Sequence, residues 1–281
     1  MKTSGSRQFV SFVILAIFVL APLASVMNSI GTVFSSPMIV AGRGPIPAAV
    51  GPGVVGSSWE SINWSGYAVT GPTGSVSDVV GSWKVPSIVG SCPSTNQYSS
   101  FWVGIDGFSS NTVEQIGTDS DCQNRAATYY AWYEFYPSPS YLISSLTIHA
   151  GDAMSAEVKY SSGTFTASIT DVTTGKSFST SATVNAKRSS AEWIAEAPSS
   201  NRGVLPLADF GTVYFGFDNT NVIGTCYATV SGVTGAIGSF GSSVQQITMV
   251  KNSRILTVKA QPSALSTDGT SFSVRWVSAG P

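Results

Sequence analysis

The segment TFTASITDVTTGK, residues 164–176, alternates apolar and polar side chains and then reaches a turn-forming stretch. Phe165, Ala167 and Ile169 fall on one face of an extended chain, because successive side chains of a strand point to opposite sides. The TTGK stretch at 173–176 separates this run from a second alternating run and is typical of a hairpin. The segment therefore predicts half-buried antiparallel strands.

The same pattern recurs along the chain. Further alternation is centred on Val213, Phe215 and Phe217 in TVYFGFDN, and on Phe272, Val274 and Trp276 in the last segment. KNSR at 251–254 separates two more apolar runs. Since no amphipathic helix accompanies these runs outside the N-terminal segment, the sequence predicts an all-β fold, an antiparallel β-sandwich.

The N-terminal segment has the features of an export signal. Lys2 and Arg7 precede an apolar run from Phe9 to Ala24 that Pro22 interrupts. A membrane span needs about 20 apolar residues, so the run is short for one, and a retained membrane anchor is the alternative. We predict a signal peptide over residues 1–29, a Gly/Pro-rich pro-segment or linker over 30–57, and one β-sandwich domain over 58–281.

The composition excludes several classes of partner. The chain has 14 Lys and Arg against 15 Asp and Glu, and only 10% of its residues are charged. Because the chain has no basic run, we expect that it binds no nucleic acid and has no stable membrane partner. We also expect a monomer. Few carboxylates also mean a small change of net charge in acid, which suits an acidic medium. The alternative is that Ser and Thr simply solvate the sheet faces.

Cysteine and histidine are too scarce for most metal or triad chemistry. His149 is the only histidine, and the three cysteines lack C-x-x-C spacing, so we predict no metal and no cofactor. No G-x-S-x-G motif accompanies His149 for a serine triad. Three cysteines allow one internal disulfide, and we favour Cys92 with Cys122, leaving Cys226 buried.

Carboxylate and amide side chains concentrate in three segments that also carry Trp and Tyr. The segments are FWVGIDGFSSNTVEQIGTDSDC (101–122), YYAWYEFYP (129–137) and SSAEWIAEAP (189–198). This mixture is typical of a groove that holds a chain-like substrate on apolar walls. On a strand, Gln115 points away from Glu114, whereas Glu192 and Glu196 share a face about 13 Å apart.

Six strings carry a resemblance to a known family. They are NWSGY (63–67), FWVGIDG (101–107), EQIGTD (114–119), AWYEFYP (131–137), AEWIAE (191–196) and LADFGTVYF (207–215). In that order the chain resembles the glutamic peptidases, also called eqolisins. The resemblance implies a secreted, acid-active endopeptidase on a concanavalin-like β-sandwich of two curved sheets, each of about seven strands, with protein or peptide substrates.

The resemblance also implies the site residues. Gln115 in EQIG and Glu192 in AEWIAE match the catalytic Gln/Glu dyad of the family. The positions that match the groove-lining residues of the family are Trp64, Trp102, Asp106 and Tyr133. Glu196 is expected at the sheet surface or in support of the site.

The chemistry of such a dyad follows from its functional groups. A Glu192 carboxylate can deprotonate a water that attacks the scissile carbonyl and can then return the proton to the leaving amine. The Gln115 amide can donate to the developing oxyanion and does not titrate in acid. Neither a metal nor a covalent intermediate is needed.

Two other functions remain open from the sequence. A carbohydrate-active or carbohydrate-binding sandwich could use Glu134 with Glu192, provided that their carboxyls lie about 5 to 9.5 Å apart without Gln115 between them. A non-catalytic adhesion domain could share the sandwich and lack the dyad geometry, because a fold does not determine a function.

Overall fold

The computed structural model describes residues 58–251 and 257–280. The predicted signal peptide (1–29) and pro-segment (30–57) lie outside the described residues. Nearly all regular structure in the described ranges is β-strand, with one α-helical turn and one 3₁₀ segment. None of the helical segments there has the length and apolar character needed to cross a membrane.

The elements follow in chain order. The first ten strands are β1 (Ser58–Ser61), β2 (Trp64–Thr70), β3 (Val76–Lys84), β4 (Ser100–Ile105), β5 (Val113–Gln123), β6 (Ala126–Tyr136), β7 (Tyr141–Leu142), β8 (Ala153–Ser161), β9 (Thr164–Asp171) and β10 (Lys176–Ala182). The remaining elements are β11 (Ser190–Glu196), β12 (Ser199–Ser200), β13 (Gly203–Val204), β14 (Thr212–Phe215), α1 (Phe217–Thr220), β15 (Tyr227–Val230), β16 (Val233–Ala236), a 3₁₀ segment (Ile237–Ser243), β17 (Val244–Lys251), β18 (Thr257–Pro262) and β19 (Phe272–Trp276).

The strands form two layers. In the first layer the hydrogen-bonded order is β7-β6-β5-β4-β11-β2-β17-β1. The second layer runs β10-β9-β8-β3, and then β14 and β15 pair along the other edge of β3. β19 and β18 extend the second layer from β14.

One strand connects the layers. β17 pairs with β2 through Val244 to Ile247 and with β18 through Met249 to Lys251, where the register shifts. The all-β class is confirmed, but the sheet count differs from two sheets of about seven strands. Because β17 belongs to both layers, a single ladder of 17 strands bends around the core.

The main core lies between the layers and is rich in aromatic side chains. Trp193 of the first layer donates its Nε1 hydrogen to the Val80 carbonyl of the second at 2.9 Å. Trp83 of the second layer donates to Thr118 Oγ1 of the first, also at 2.9 Å. These two buried indoles are thus hydrogen-bonded across the sandwich, which fixes how the layers face each other.

The hairpin predicted at 173–176 is confirmed. Asp171 of β9 is opposite Lys176 of β10, and Phe165, Ala167 and Ile169 are buried. The strand predicted through Phe217 is shorter than expected. β14 ends at Phe215 because Gly216, at φ 91°, redirects the chain into α1 and leaves Phe217 exposed. Residues 252–256, which include most of KNSR, lie outside the described part.

The predicted disulfide is confirmed. Cys92 and Cys122 are bonded and join the loop before β4 to the end of β5. Cys226 is a free, buried cysteine, as expected, and burial raises the pKa of its thiol to about 12.

Candidate active site

Five neighbouring strands of the first layer align one row of residues. Glu192 of β11 is opposite Ala68 on one side and Gly104 on the other. Gly104 is opposite Gln115, and Gln115 is opposite Glu134. Directly opposed residues point to the same face, so the sheet brings Gln115 and Glu192 together on one face. Two strand spacings separate their Cα atoms, about 10 Å.

Gly104 places no side chain of its own between Glu192 and Gln115, and the Trp102 ring comes within 3.1 Å of the place where its Cβ would lie. A Cβ at this position would lie 2.9 Å from the Glu114 carbonyl oxygen and 3.1 Å from Gln115 Cβ. Glycine is therefore the residue that fits. The gap above Gly104 is bounded by an amide on one side and a carboxyl on the other.

Gln115 is fully buried on β5. Its Nε2 donates a hydrogen bond to Glu134 Oε2 at 2.6 Å, while its Oε1 accepts none from a described residue. The C=O and C–N bonds of a planar amide diverge. With Nε2 bonded to Glu134 on β6, Oε1 is turned away from Glu134.

Glu192 is fully buried, and neither carboxyl oxygen makes a hydrogen bond with a described residue. Burial raises the pKa of this carboxyl well above its usual range, and the negative charges of Asp106 and Glu114 add to that effect. The Ser190 hydroxyl and the Phe108 N–H lie near the carboxyl without meeting hydrogen-bond geometry, and they lower the pKa in part. The environment therefore makes the carboxylate of Glu192 an unusually strong base.

Glu196 is buried on the same face as Glu192 rather than lying at the sheet surface. Its Oε2 accepts from Trp102 Nε1 at 2.9 Å, and its Oε1 accepts from Asn63 Nδ2 at 3.3 Å. Burial raises its pKa to about 8 despite these hydrogen bonds. Glu196 therefore orients an indole of this face.

Two predicted groove residues, Trp64 and Trp102, are fully buried and belong to a second apolar cluster on the same face as Gln115 and Glu192. Their rings meet edge to face, with centroids 4.8 Å apart. Beside them, a Cβ at Gly117 would lie 2.6 Å from Trp102 Cβ, so a glycine is needed for the indole to lie there. The paired indoles form an apolar wall next to the row.

Asp106 comes directly after β4 in a left-handed conformation, φ 71°. Its Oδ2 accepts from the Arg188 N–H at 2.5 Å, and its Oδ1 accepts from the Ser189 N–H at 2.8 Å. The Ser189 hydroxyl donates to Oδ1 at 3.1 Å. Asp106 thus anchors the chain that leads into β11 and supplies a negative charge near Glu192.

Tyr133 is not brought to this face. It follows Trp132 and precedes Glu134 on β6, and alternation turns its ring to the opposite side of the sheet. There it stacks on Tyr141 and Phe178, with centroid distances of 5.3 and 5.5 Å. The structure thus separates Tyr133 from the row that contains Gln115 and Glu192.

The geometry expected for a glycosidase pair is not met. Glu134 and Glu192 are three strand spacings apart in the row, about 14 Å between Cα atoms, with Gly104 and Gln115 between them. The direct neighbour of Glu134 is the Gln115 amide. His149 is exposed, and its Nδ1 lies 3.5 Å from Asp152 Oδ2 in the loop before β8.

A cavity of about 610 Å³ is lined in part by Tyr136 and Pro137. Tyr136 lies on the site face, two residues beyond Glu134, and pairs with Val113. Hydroxyl, amide and amine groups also line the cavity, from Thr73, Ser110, Asn111, Thr112, Asn185 and Lys187.

Sequence reasoning missed the pairing of Glu134 with Gln115. β5 and β6 form a hairpin in which Asn124 and Arg125 are the two turn residues, and both have positive φ. A two-residue turn at this place fixes Gln115 opposite Glu134. The turn was therefore the signal that could have revealed the contact.

Comparison with known proteins identifies the family. Residues 62–266 match the Peptidase A4 family. The chain belongs to this family. It is 31% identical to aspergillopepsin-2 from Aspergillus niger over 178 residues, and 35% identical to scytalidopepsin B from Scytalidium lignicola over 140 residues. These alignments cover 55% and 48% of the chain and only 62% and 51% of the two relatives.

Solved structures of this family share the fold. A scytalido-glutamic peptidase bound to a transition state analog inhibitor matches with a TM-score of 0.62 and 27% identity, covering 76% of this chain and 98% of that one. The aspergilloglutamic peptidase from Aspergillus niger matches with a TM-score of 0.51 and 29% identity, covering 64% and 99%.

Proposed function

We propose that this protein is a secreted acid endopeptidase that hydrolyses peptide bonds with Gln115 and Glu192 as its dyad. Family membership supports the reaction class. The observation that carries the residue assignment is the row in which Glu192, Gly104 and Gln115 face the same side of three adjacent strands. On this proposal, the peptide carbonyl and the attacking water bind between the Gln115 amide and the Glu192 carboxyl.

The reaction needs one proton acceptor and one oxyanion donor. The carboxylate of Glu192 takes a proton from the water as the water oxygen bonds to the scissile carbonyl carbon. Gln115 Nε2 donates to the oxygen that becomes negative. Glu192 then passes the proton to the leaving nitrogen as the carbon–nitrogen bond breaks, which restores the carboxylate.

The electrostatics of Glu192 set one limb of the pH dependence. Because burial raises the pKa of this carboxyl well above the usual 4.5, the base form becomes populated only above that pH in the empty site. We therefore expect activity to rise with pH on the acid side and to persist through weakly acidic conditions. The low content of charged residues and the export signal predicted for residues 1–29 support an acidic extracellular setting.

The test is hydrolysis of an unfolded protein from about pH 2 to 7 by the wild type and two variants. Glu192→Gln removes the base, and Gln115→Ala removes a donor that is typically worth 10² to 10³ in rate. Glu157→Gln and Gln261→Ala are matched controls at sites away from the row. Loss of activity in both dyad variants but in neither control supports the proposal. Activity that survives Glu192→Gln contradicts the mechanism.

A wild type that folds and shows no proteolysis at any pH in that range contradicts the proposed function as a whole. Binding or cleavage of oligosaccharides would then be measured on the same preparation.

A further inference from the structure

Glu134 is a buried carboxyl that the proposed reaction does not use. It is fully buried, and its Oε2 accepts the hydrogen bond from Gln115 Nε2 at 2.6 Å. Its Oε1 has no hydrogen-bond partner among the described residues. The contact joins the carboxyl directly to the amide that is expected to stabilise the oxyanion.

An ionised Glu134 can bind only the Nε2 end of the amide, whereas a protonated Glu134 can bind either end. A carboxylate only accepts hydrogen bonds, so it holds Nε2 and leaves Oε1 turned away from Glu134. A protonated carboxyl also has an O–H to donate, and Oε1 is the acceptor that Gln115 offers. A half-turn of the amide would let Oε1 accept that hydrogen and would turn Nε2 toward the gap.

Only the second arrangement gives an oxyanion donor. Nε2 carries the hydrogens that a developing negative charge requires, whereas Oε1 would repel that charge. The amide orientation next to an ionised Glu134 is thus the wrong one for the chemical step proposed above.

We propose that Glu134 is a positioning residue for the reaction, whose protonated carboxyl donates to Gln115 Oε1 and turns Gln115 Nε2 toward the substrate, and whose ionisation turns the amide back. The inference rests on the proposed function of Gln115. It assigns the fall of activity at higher pH to the ionisation of Glu134.

The groups around Glu134 favour its protonated form. Gln115 faces it from β5, Glu196 of β11 faces it as a like charge, and Glu192 lies farther along the row. Trp132 and Tyr136 flank it on its own strand, and Leu142 of β7 pairs beside it at Trp132. Within the described ranges no lysine or arginine forms an ion pair with it.

Burial raises the pKa of Glu134 well above its usual range, and the charge of Glu196 raises it further. The hydrogen bond from Gln115 lowers it in part. The carboxyl therefore keeps its proton in acid, where the protein is proposed to work, and loses it as the pH rises.

The kinetic test compares pH profiles of kcat/KM between about pH 3 and 8 for the full chain. In Glu134→Gln the new amide can donate to Gln115 Oε1 at every pH. We expect the ratio of kcat/KM at pH 7.5 to that at pH 5 to rise at least tenfold relative to wild type. In Glu134→Leu the Gln115 amide loses its partner, and we expect kcat to fall at least tenfold with KM within threefold.

Glu157→Gln is the matched control, because it removes a carboxyl on β8 that does not contact the row. It should leave the pH profile unchanged. A wild-type profile in Glu134→Gln, or wild-type kcat in Glu134→Leu, overturns the proposal.

A second measurement does not depend on activity. In protein labelled with ¹⁵N-glutamine, the side-chain NH₂ signal of Gln115 is assigned by its loss in Gln115→Ala. It should shift as the pH passes through the ionisation of Glu134 in wild type and stay constant in Glu134→Gln. A signal that does not move in wild type, or moves equally in the variant, overturns the inference.

The two measurements separate the proposals. If the NMR titration appears but Gln115→Ala keeps full activity, the Glu134–Gln115 coupling stands and the dyad assignment fails. If the dyad variants are inactive but the titration is absent, the dyad stands and the positioning role fails.

Discussion

Gln115 and Glu192 lie on the two strands that flank β4, both opposite Gly104, and so face each other across a glycine. A sheet in which every position of this row carried a side chain would fill the gap. On the proposed mechanism, this glycine links the fold to the site, since its lack of a side chain is what would leave room for a reacting bond between the amide and the carboxyl.

Gly104→Ala should reduce activity more than it reduces stability. The added Cβ would lie 2.9 Å from the Glu114 carbonyl and 3.1 Å from Gln115 Cβ, so the strands must shift by a fraction of an ångström. Overpacking of this kind costs about 1–3 kcal/mol. We expect kcat/KM to fall more than tenfold in a variant that remains folded at the assay temperature.

The measurement pairs kcat/KM with a thermal unfolding curve. Full activity in Gly104→Ala would show that the gap above Gly104 is not where the substrate reacts.

Asp106→Asn should move the acid limb of the activity profile to lower pH. The negative charge of Asp106 raises the pKa of Glu192, so removing the charge lowers that pKa and exposes the base form at more acidic pH. In wild type, one carboxylate oxygen of Asp106 accepts from the Arg188 N–H and the other from the Ser189 N–H. Asn keeps only one of these two acceptor oxygens, at a cost of about 1–3 kcal/mol in stability. Asn is among the residues that best tolerate the positive φ at this position.

The check is kcat/KM against pH, with Asp218→Asn in the exposed first turn of α1 as the matched control. An acid limb that stays in place, or moves to higher pH, in a folded Asp106→Asn variant would contradict this electrostatic coupling.

Local patterns predicted the strands and which candidate site residues share a face, because both depend on alternation. The hairpin at 173–176, the opposite directions of Glu114 and Gln115, and the shared face of Glu192 and Glu196 all follow from a period of two residues. The same rule applied to β6 places Tyr133 and Glu134 on opposite faces of the sheet. The prediction that Tyr133 lines the groove came from the family resemblance and not from this alternation.

Relations between distant strands could not be read in this way. The join of the two layers at β17 depends on a register shift after Met249 that no local pattern marks. The burial of Glu196 depends on the indole of Trp102, 94 residues away, whose N–H it accepts. Such contacts are set by the pairing of whole strands, and a single sequence offers few constraints on register beyond its turns.

The disulfide should contribute substantially to stability. Cys92 and Cys122 are 30 residues apart, and closing a loop of this length is worth about 3–4 kcal/mol in the chain-entropy account. We expect the Cys92→Ala/Cys122→Ala double variant to lose about that amount in urea unfolding, compared with the oxidised wild type. Cys226→Ala is a separate cavity-forming control, which should keep the stabilisation by the disulfide.

Addition of a reductant provides the second readout. It should destabilise wild type and Cys226→Ala and leave the double variant unchanged. Equal stability of wild type with and without the reductant, with the thiols shown to be reduced, would contradict the prediction.

The protein should be more stable at pH 5 than at pH 8. Burial raises the pKa of Glu114 to about 9 and that of Glu196 to about 8, so the folded chain holds these protons more tightly than the unfolded chain does. The stabilisation is fully present below the ordinary pKa of about 4.5 and is lost as the pH rises through the folded values. Each such group lowers the free energy of unfolding by at most about 1.4 kcal/mol per pH unit in that window.

Glu114→Gln isolates one contribution, because Glu114 lies on the core face and neither of its oxygens has a hydrogen-bond partner among the described residues. The variant should lose less stability between pH 5 and pH 8 than wild type, by at least about 1 kcal/mol in urea unfolding. Glu157→Gln, at a partly exposed position, should behave as wild type. Equal stability at the two pH values in wild type would mean that the buried carboxyls ionise in the folded protein without cost.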